Sequence, residues 1–163
     1  MNCQNRSYDA SSGAPAFAGA RAASLLEEVC RESMEDGESL RMEVVGNLAR
    51  DLRQQLEVLA RYAGEGSEPP DSLVEAALAC ADLATLAACV LRELAPGAAR
   101  KGASAVREAA GAVGDLSSLV ETEAKALEGD HADHIMRDIR AAGWRSGLAA
   151  RQADEFLEVL DRS

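Results

Sequence analysis

Apolar residues recur along the chain at steps of three, four and seven positions, the spacing of one face of an α-helix. The clearest series, with arginines and glutamates between its members, is Val45, Leu48, Leu52, Leu59 and Tyr62. They predict a long amphipathic helix over residues 36–63. No stretch of the sequence convincingly predicts a strand, so we expect an all-α protein.

Prolines, glycines and small polar residues divide the first half of the chain into elements. Pro15 suits a first helical turn, and the small residues after it predict a helix over 16–31 that a neighbouring helix can approach closely. Two glycines and two adjacent prolines within 64–71 predict a turn. Ser72 and Glu75 then have the spacing of a capping box, which opens the next helix.

The second half of the chain shows the same helical periodicity. Pro96 and Gly97 predict a helix stop, Gly111 and Gly114 offer a kink, and Gly143 ends a short helix. No repeat of solenoid length is present, so an antiparallel bundle of five or six helices is expected. The predicted helices after the turn cover residues 72–95, 98–127, 131–142 and 146–160.

Composition supports one soluble helical domain. The chain has 163 residues, 47% of them hydrophobic, 28% charged and only 3% aromatic, which excludes disordered and collagen-like classes. Alanine is abundant and β-branched residues are sparse, so helices are favoured over sheets. We expect residues 1–14 to form a flexible segment and residues 15–163 to form a single helical-bundle domain.

Charge and apolar segments restrict the partners. A net charge of -11 at pH 7 repels nucleic acid and anionic membranes on average. Residues 76–91 carry Asp82 as their only charge, yet this alanine-rich stretch is less hydrophobic than a membrane span. It therefore predicts a central bundle helix, and we expect neither a nucleic acid nor a membrane as a partner.

The expected location is the cytoplasm. No basic segment followed by an apolar stretch opens the chain, so export is not predicted. The cysteines show no CxxC spacing, and the last three lie in helical apolar patterns that commonly bury free thiols. A reducing compartment fits this set, which consists of Cys3, Cys30, Cys80 and Cys89.

The two histidines form one candidate metal site. Glu128 precedes His131 at the ExxH spacing of di-iron bundles, and His134 follows one turn later. A ferritin-like site needs a second ExxH element, which this chain lacks, and Gly129 breaks the helix before His131. A solvated polar helix start is the competing interpretation, and we expect no metal.

Two charged features are candidates for ligand chemistry. Asp82 is either desolvated on a central helix, with a raised pKa, or turned to the one wet side. Arg100, Lys101 and Arg107 concentrate positive charge at a helix start, where they either hold a carboxylate-bearing ligand or pair with nearby glutamates. The sequence contains no Ser-His-Asp order, Walker loop or dinucleotide-binding glycine motif.

Residues 11–25, SSGAPAFAGARAASL, resemble the opening of the cyclodeaminase and methenyltetrahydrofolate cyclohydrolase family, in which a glycine-rich turn enters an Ala-Gly-Ala helix. The order of the later helices is also similar, over about residues 10 to 160. The chain departs from the family pattern in several motifs. Glu57 is the nearest acid to the family's aspartate on the second helix, and Leu119 and Glu123 stand where that family has paired asparagines.

The resemblance implies a cyclodeaminase-like fold and hydrolysis or cyclisation at a one-carbon tetrahydrofolate, without a metal or a further cofactor. A carboxylate and an ordered water would then do the acid–base work. The resemblance also implies a homodimer, for which residues 76–91 offer an apolar surface. The candidate catalytic residues are Glu57, Asp82 and Glu123, and the candidate ligand-binding residues are Ser11, Ser12, Gly13, Arg100 and Lys101.

Two other functions remain open. A non-catalytic interaction bundle would use the same small-residue faces to hold a partner, and it would neither bind nor convert a folate. A metal-containing bundle would use the histidine cluster described above, and metal analysis of protein purified without an affinity tag would detect it.

Overall fold

Helices make up the regular structure of the protein. The computed structural model describes residues 13–35, 40–64, 69–125, 127 and 129–162, and contains no strand in these ranges. The prediction of an all-α bundle is confirmed. The α-helices are α1 (Ala14–Glu35), α2 (Leu40–Gly64), α3 (Pro69–Val90), α4 (Pro96–Ala124) and α5 (Asp130–Asp161), with a short 3₁₀ turn over Leu91–Glu93.

Helix α3 lies at the centre of the bundle and contacts each of the other α-helices. Consecutive helices are antiparallel, as the contact between Gln55 on α2 and Glu75 on α3 illustrates. Helix α5 runs parallel to α3, since Asp82 pairs with Arg145 while the earlier Asp71 lies near His131. The apolar residues of α3 are therefore surrounded by protein on most sides.

Burial explains why α3 is so apolar. Contrary to the expectation from the sequence, residues 71–93 are long and apolar enough to cross a membrane by length and composition alone, but 61% of their most apolar window is buried inside the bundle. A helix that is apolar all round suits such a central position. Much of the surface that residues 76–91 were expected to offer to a second subunit is thus buried within the chain itself.

Small residues bring α1 close to its neighbours. Ala22 and Ala23 are fully buried, and a methyl group added at Gly19 would overlap the Cys80 sulfur of α3 and come within 3.2 Å of Leu56 on α2. The close approach predicted for α1 is confirmed. The packing is tight because α1 carries only small residues at these positions, so larger side chains such as Leu56 can lie directly against its backbone.

The prolines begin helices where the sequence predicted a turn and a stop. Residues 65–68 lie outside the described residues, but Pro69 already belongs to α3, so Ser72 is inside the helix and does not cap it. Pro96 occupies the first turn of α4, after the extended Ala95. Proline fits there because a first-turn residue needs no backbone donor.

Two glycine signals also differ from their predictions. Helix α5 continues through Gly143, although the sequence predicted two helices there. Ala142 and Ser146, on either side, are almost fully buried, so packing compensates the conformational cost of the glycine. Likewise, α4 is continuous from Pro96 to Ala124, and Gly111 does not interrupt it.

Candidate functional site

A cleft of about 520 Å³ opens between the first half of α1 and the second half of α2. It combines an exposed aromatic ring with several guanidinium groups and one carboxylate, which is an unusual concentration of positive charge in a chain of net charge -11. Its size falls within the range of small-molecule sites. The lining residues are Phe17, Ala20, Arg21, Ser24, Arg53, Glu57 and Arg61.

The N-terminal end of α1 lies directly against α2 beside this cleft. A Cβ atom at Gly13 would stand 2.7 Å from the carbonyl oxygen of Ala60, closer than side chains normally approach a backbone. Only glycine permits this contact. Gly13, a predicted ligand residue, is therefore brought within one helical turn of Glu57 and Arg61, whereas Ser11 and Ser12 lie outside the described residues.

An ion-pair network fixes the floor of the cleft. Arg53 donates a hydrogen bond of 2.6 Å from Nε to Glu27 Oε1 and one of 2.9 Å from Nη1 to Glu57 Oε1. These hydrogen bonds, that to Glu27 first, raise the pKa of Arg53 above its usual value, so the guanidinium stays charged. The Glu57 carboxylate is thereby held in one position next to a permanent cation.

The other two arginines of the cleft are more available to a ligand. Arg21 lies 3.4 Å from Glu108, and its side chain is 76% exposed. Arg61 is also exposed and makes no ion pair with any residue that the structure describes. Exposed ion pairs contribute little to stability, so an anionic ligand can replace Glu108 at little cost.

The three predicted catalytic acids are not brought together. Glu57 alone lines the cleft. Asp82 accepts a 2.6 Å hydrogen bond from Arg145 on the α3–α5 surface, and its side chain is 53% exposed, so it is turned to the wet side. Glu123 is exposed in the last turn of α4, about 22 Å along that helix from Glu108, which marks the level of the cleft.

The predicted basic ligand residues also lie apart from the cleft. Arg100 donates to Asp161 at 2.7 Å, and Lys101 donates to Glu28 and Glu32 at 3.2 and 2.8 Å. Arg107 makes the same kind of pair with Asp154. Of the two interpretations offered for this cluster, the structure supports pairing with acidic residues.

Distance along α1 shows how far these groups are from the cleft. Lys101 contacts Glu28 of α1, which comes 15 residues after Gly13, the residue directly before that helix. Fifteen residues correspond to a distance of about 22 Å along the helix axis. Gly13 and the α1 contact of Lys101 are therefore too far apart along α1 for both residues to contact the same small ligand.

The histidines lie at the solvated start of α5. His131 Nε2 is 3.5 Å from Asp71 Oδ1, and His134 Nδ1 is 2.8 Å from the carbonyl oxygen of Asp130. Glu128 lies outside the described residues. Within the described ranges, no group of three or more His, Cys, Asp or Glu side chains is placed to hold a metal ion.

Only two of the three described cysteines are buried, although all three were expected to be. Desolvation raises the pKa of the Cys30 thiol to about 11 and that of Cys80 to about 12, while Cys89 is exposed. The buried thiols act as small apolar core residues.

The sequence carried a signal for the cleft that the prediction missed. Phe17 and Arg21 are four residues apart, and Arg53, Glu57 and Arg61 follow each other at the same interval. Residues at this interval share a helix face. Pairing the two faces required the antiparallel contact of α1 with α2, which the periodicity of either helix alone does not specify.

The comparisons with known proteins gave no match: no protein-family model matches the chain, and neither does any curated protein sequence.

Proposed function

We propose that the protein is a diverged, cyclodeaminase-like helical bundle that binds a one-carbon tetrahydrofolate derivative in the cleft between α1 and α2. One observation carries the proposal. Phe17, from the segment that resembles the family, lines the same cleft as Glu57, the nearest acid to the family's catalytic position, and Gly13 of that segment packs against Ala60, beside the cleft.

The chemistry of the cleft suits a ligand that is aromatic at one end and anionic at the other. The ring of Phe17 is 48% exposed and offers a stacking surface for a pteridine. Arg21 and Arg61 can make charge-assisted hydrogen bonds to the glutamate carboxylates of a folate. Arg53 is already occupied by Glu27 and Glu57, so its role is to position Glu57.

If the bound one-carbon unit is hydrolysed, Glu57 is the acid that acts. Water attacks the methenyl carbon, the carboxylate accepts the proton that the water loses, and the π electron pair of the C=N⁺ bond moves to nitrogen. One C–N bond of the bridge then breaks, and its nitrogen takes up a proton, which leaves a formyl group on the other nitrogen. Asp82 and Glu123 are too far from the cleft to take part. The ion pair with Arg53 orients the carboxylate, but it also occupies one of the two carboxylate oxygens.

Calorimetric titration with 5-formyl- and 5,10-methenyltetrahydrofolate tests the binding. We expect saturable binding that Arg21→Gln weakens by about 5- to 50-fold, the loss of one charge-assisted hydrogen bond. Arg100→Gln is the matched control, because Arg100 is also an exposed, ion-paired arginine but lies outside the cleft. No binding, or equal weakening by both variants, would refute the proposal.

Turnover of the methenyl compound separates binding from catalysis. Glu57→Gln should abolish any hydrolysis and leave the affinity for 5-formyltetrahydrofolate within a few fold. An unchanged rate in that variant would remove Glu57 from the mechanism. Binding without turnover in the unmodified protein would identify a folate-binding bundle that has lost the reaction.

The second candidate function is a non-catalytic interaction bundle. It is favoured by the exposed apolar side chains of α2, which the folate proposal does not use. Titration distinguishes the two, since an interaction protein binds none of the folates. A cytoplasmic location is part of both proposals.

A further inference from the structure

The outer face of α2 carries most of the exposed large apolar side chains in the described part of the chain. Five of these eight side chains belong to α2, and they are between 46% and 76% exposed. At about 100° per residue they fall within one quarter of the helix circumference. They form what we call the α2 row: Leu40, Val44, Leu48, Val58 and Tyr62.

The spacing within this row is that of a helix–helix contact. From residue 44 onward, positions on this face alternate steps of four and three, which is the spacing of a coiled-coil seam. Apolar residues occupy both ends, and two exposed polar residues occupy the middle. In order, the seam consists of Val44, Leu48, Asp51, Gln55, Val58 and Tyr62.

We propose that the α2 row is the interface of a homodimer in which α2 packs antiparallel against α2 of a second copy. The polar centre decides the direction. In a parallel pair, Asp51 would face Asp51 of the second copy, and the like charges would repel. In the antiparallel pair, seam positions alternate so that Asp51 faces Gln55 of the second copy.

The antiparallel register satisfies every layer of the seam. Val44 faces Tyr62 of the second copy, and Leu48 faces its Val58, so apolar residues meet apolar residues. Gln55 already donates one amide hydrogen to Glu75. Its second amide hydrogen can be donated to the Asp51 carboxylate across the interface.

Charges beside the seam are complementary in the same register. Antiparallel symmetry places the same flank of both helices together, so Glu43 approaches Arg61 of the second copy. Arg61 lies only two residues along the helix from the position directly opposite Glu43. Neither Glu43 nor Arg61 has an ion-pair partner among the residues that the structure describes. The dimer would form this ion pair twice.

The area is adequate for a weak, reversible dimer. The seam from Val44 to Tyr62 is about 27 Å long. With its flanks it offers roughly 500 Å² per chain, so a pair covers about 1,000 Å², which is below the size of stable interfaces and within the range of weak, transient ones. We therefore expect a dimer that dissociates in the micromolar range.

Light scattering coupled to size-exclusion chromatography, over a concentration series, tests the proposal. We expect the unmodified protein to dimerise and Val58→Lys to raise the dissociation constant at least tenfold. Val159→Lys is the matched control, since it makes the same change at an exposed valine of α5. A monomer at about 100 µM, or equal effects of both variants, would overturn the proposal.

Cross-linking tests the direction, in a background with Cys3 and Cys89 replaced by serine. Leu48→Cys with Val58→Cys should give a disulfide-linked dimer on mild oxidation, while either variant alone should not. Within one chain these positions are about 15 Å apart, too far for a disulfide. Cross-linking by the single variants would indicate a parallel pair, and no cross-link in any of the three would mean that this face is not the interface.

Discussion

The substitution Gly19→Ala tests the packing on which the bundle depends. A methyl group at this position would overlap the Cys80 sulfur and lie 3.2 Å from Cδ1 of Leu56. Both side chains are fully buried, so neither can move away into solvent. Overpacking of this kind costs about 1–3 kcal/mol, whereas replacing glycine by alanine in a helix gains about 1 kcal/mol.

The net effect should be a loss of up to about 2 kcal/mol, or up to about 8 °C in the melting temperature of a domain of this size. Gly111→Ala is the matched control. It is the same change within helix α4, but nothing lies within 4 Å of the added methyl group, so it should stabilise the protein by up to about 1 kcal/mol. The difference between the variants isolates the steric cost.

Urea unfolding followed by circular dichroism measures both free energies. Repeating Gly19→Ala in a Cys80→Ala background provides a double-mutant cycle. Removing the sulfur should reduce the cost of the added methyl group by about 1 kcal/mol. A cost that is unchanged in that background, or a Gly19→Ala protein as stable as Gly111→Ala, would refute the assigned contact.

Two further predictions concern ionisable side chains. Because burial raises the pKa of Cys30 to about 11 and that of Cys80 to about 12, iodoacetamide should alkylate Cys89 and spare both buried thiols in the native protein, as peptide mass spectrometry would show. Fast labelling of either buried thiol would contradict the packing. The hydrogen bond from Lys101 lowers the pKa of Glu32 below its usual 4.5, so this pair stabilises the fold above that pH and ceases to do so as pH falls through the lowered pKa. Lys101→Gln should therefore lower the urea midpoint slightly at neutral pH and leave it unchanged in acid, and an equal decrease in acid would contradict the assignment.

Helix faces were partly predictable because they depend on local spacing. The period of Val45 and Leu52 places both toward the bundle, and the structure buries them at least partly, whereas Leu48 and Tyr62 of the same predicted face are exposed. Alanine in α1 predicted close packing, and Ala22 and Ala23 are indeed fully buried. These features need no knowledge of which helices are neighbours.

Helix boundaries were less predictable because proline and glycine are ambiguous signals. Proline cannot continue a helix from the preceding turn, but it fits the first turn of a new one. Pro69 and Pro96 both belong to the helix that follows them. At Gly143, the buried positions on either side outweigh the helix-breaking tendency of one glycine.

The candidate site was the hardest part to predict, because its contacts join distant parts of the chain. Arg21 meets Glu108 across 87 positions, and Arg53 meets Glu27 across 26. The same limitation applied to Arg100 and Lys101, whose partners lie on other helices. Sequence spacing identified charged clusters correctly but left their partners open.

Helix α2 contributes to both proposed sites, and Arg61 connects them. Its side chain lines the folate cleft, while the proposed dimer places Glu43 of the second copy beside it. A guanidinium that pairs with that carboxylate is less available to an anionic ligand, so each event should weaken the other by the same factor. Arg21 and Val58 lie outside this shared position, on α1 and on the seam. Variants at these two residues therefore each alter directly only the cleft or only the interface, and failure of one proposal leaves the other standing.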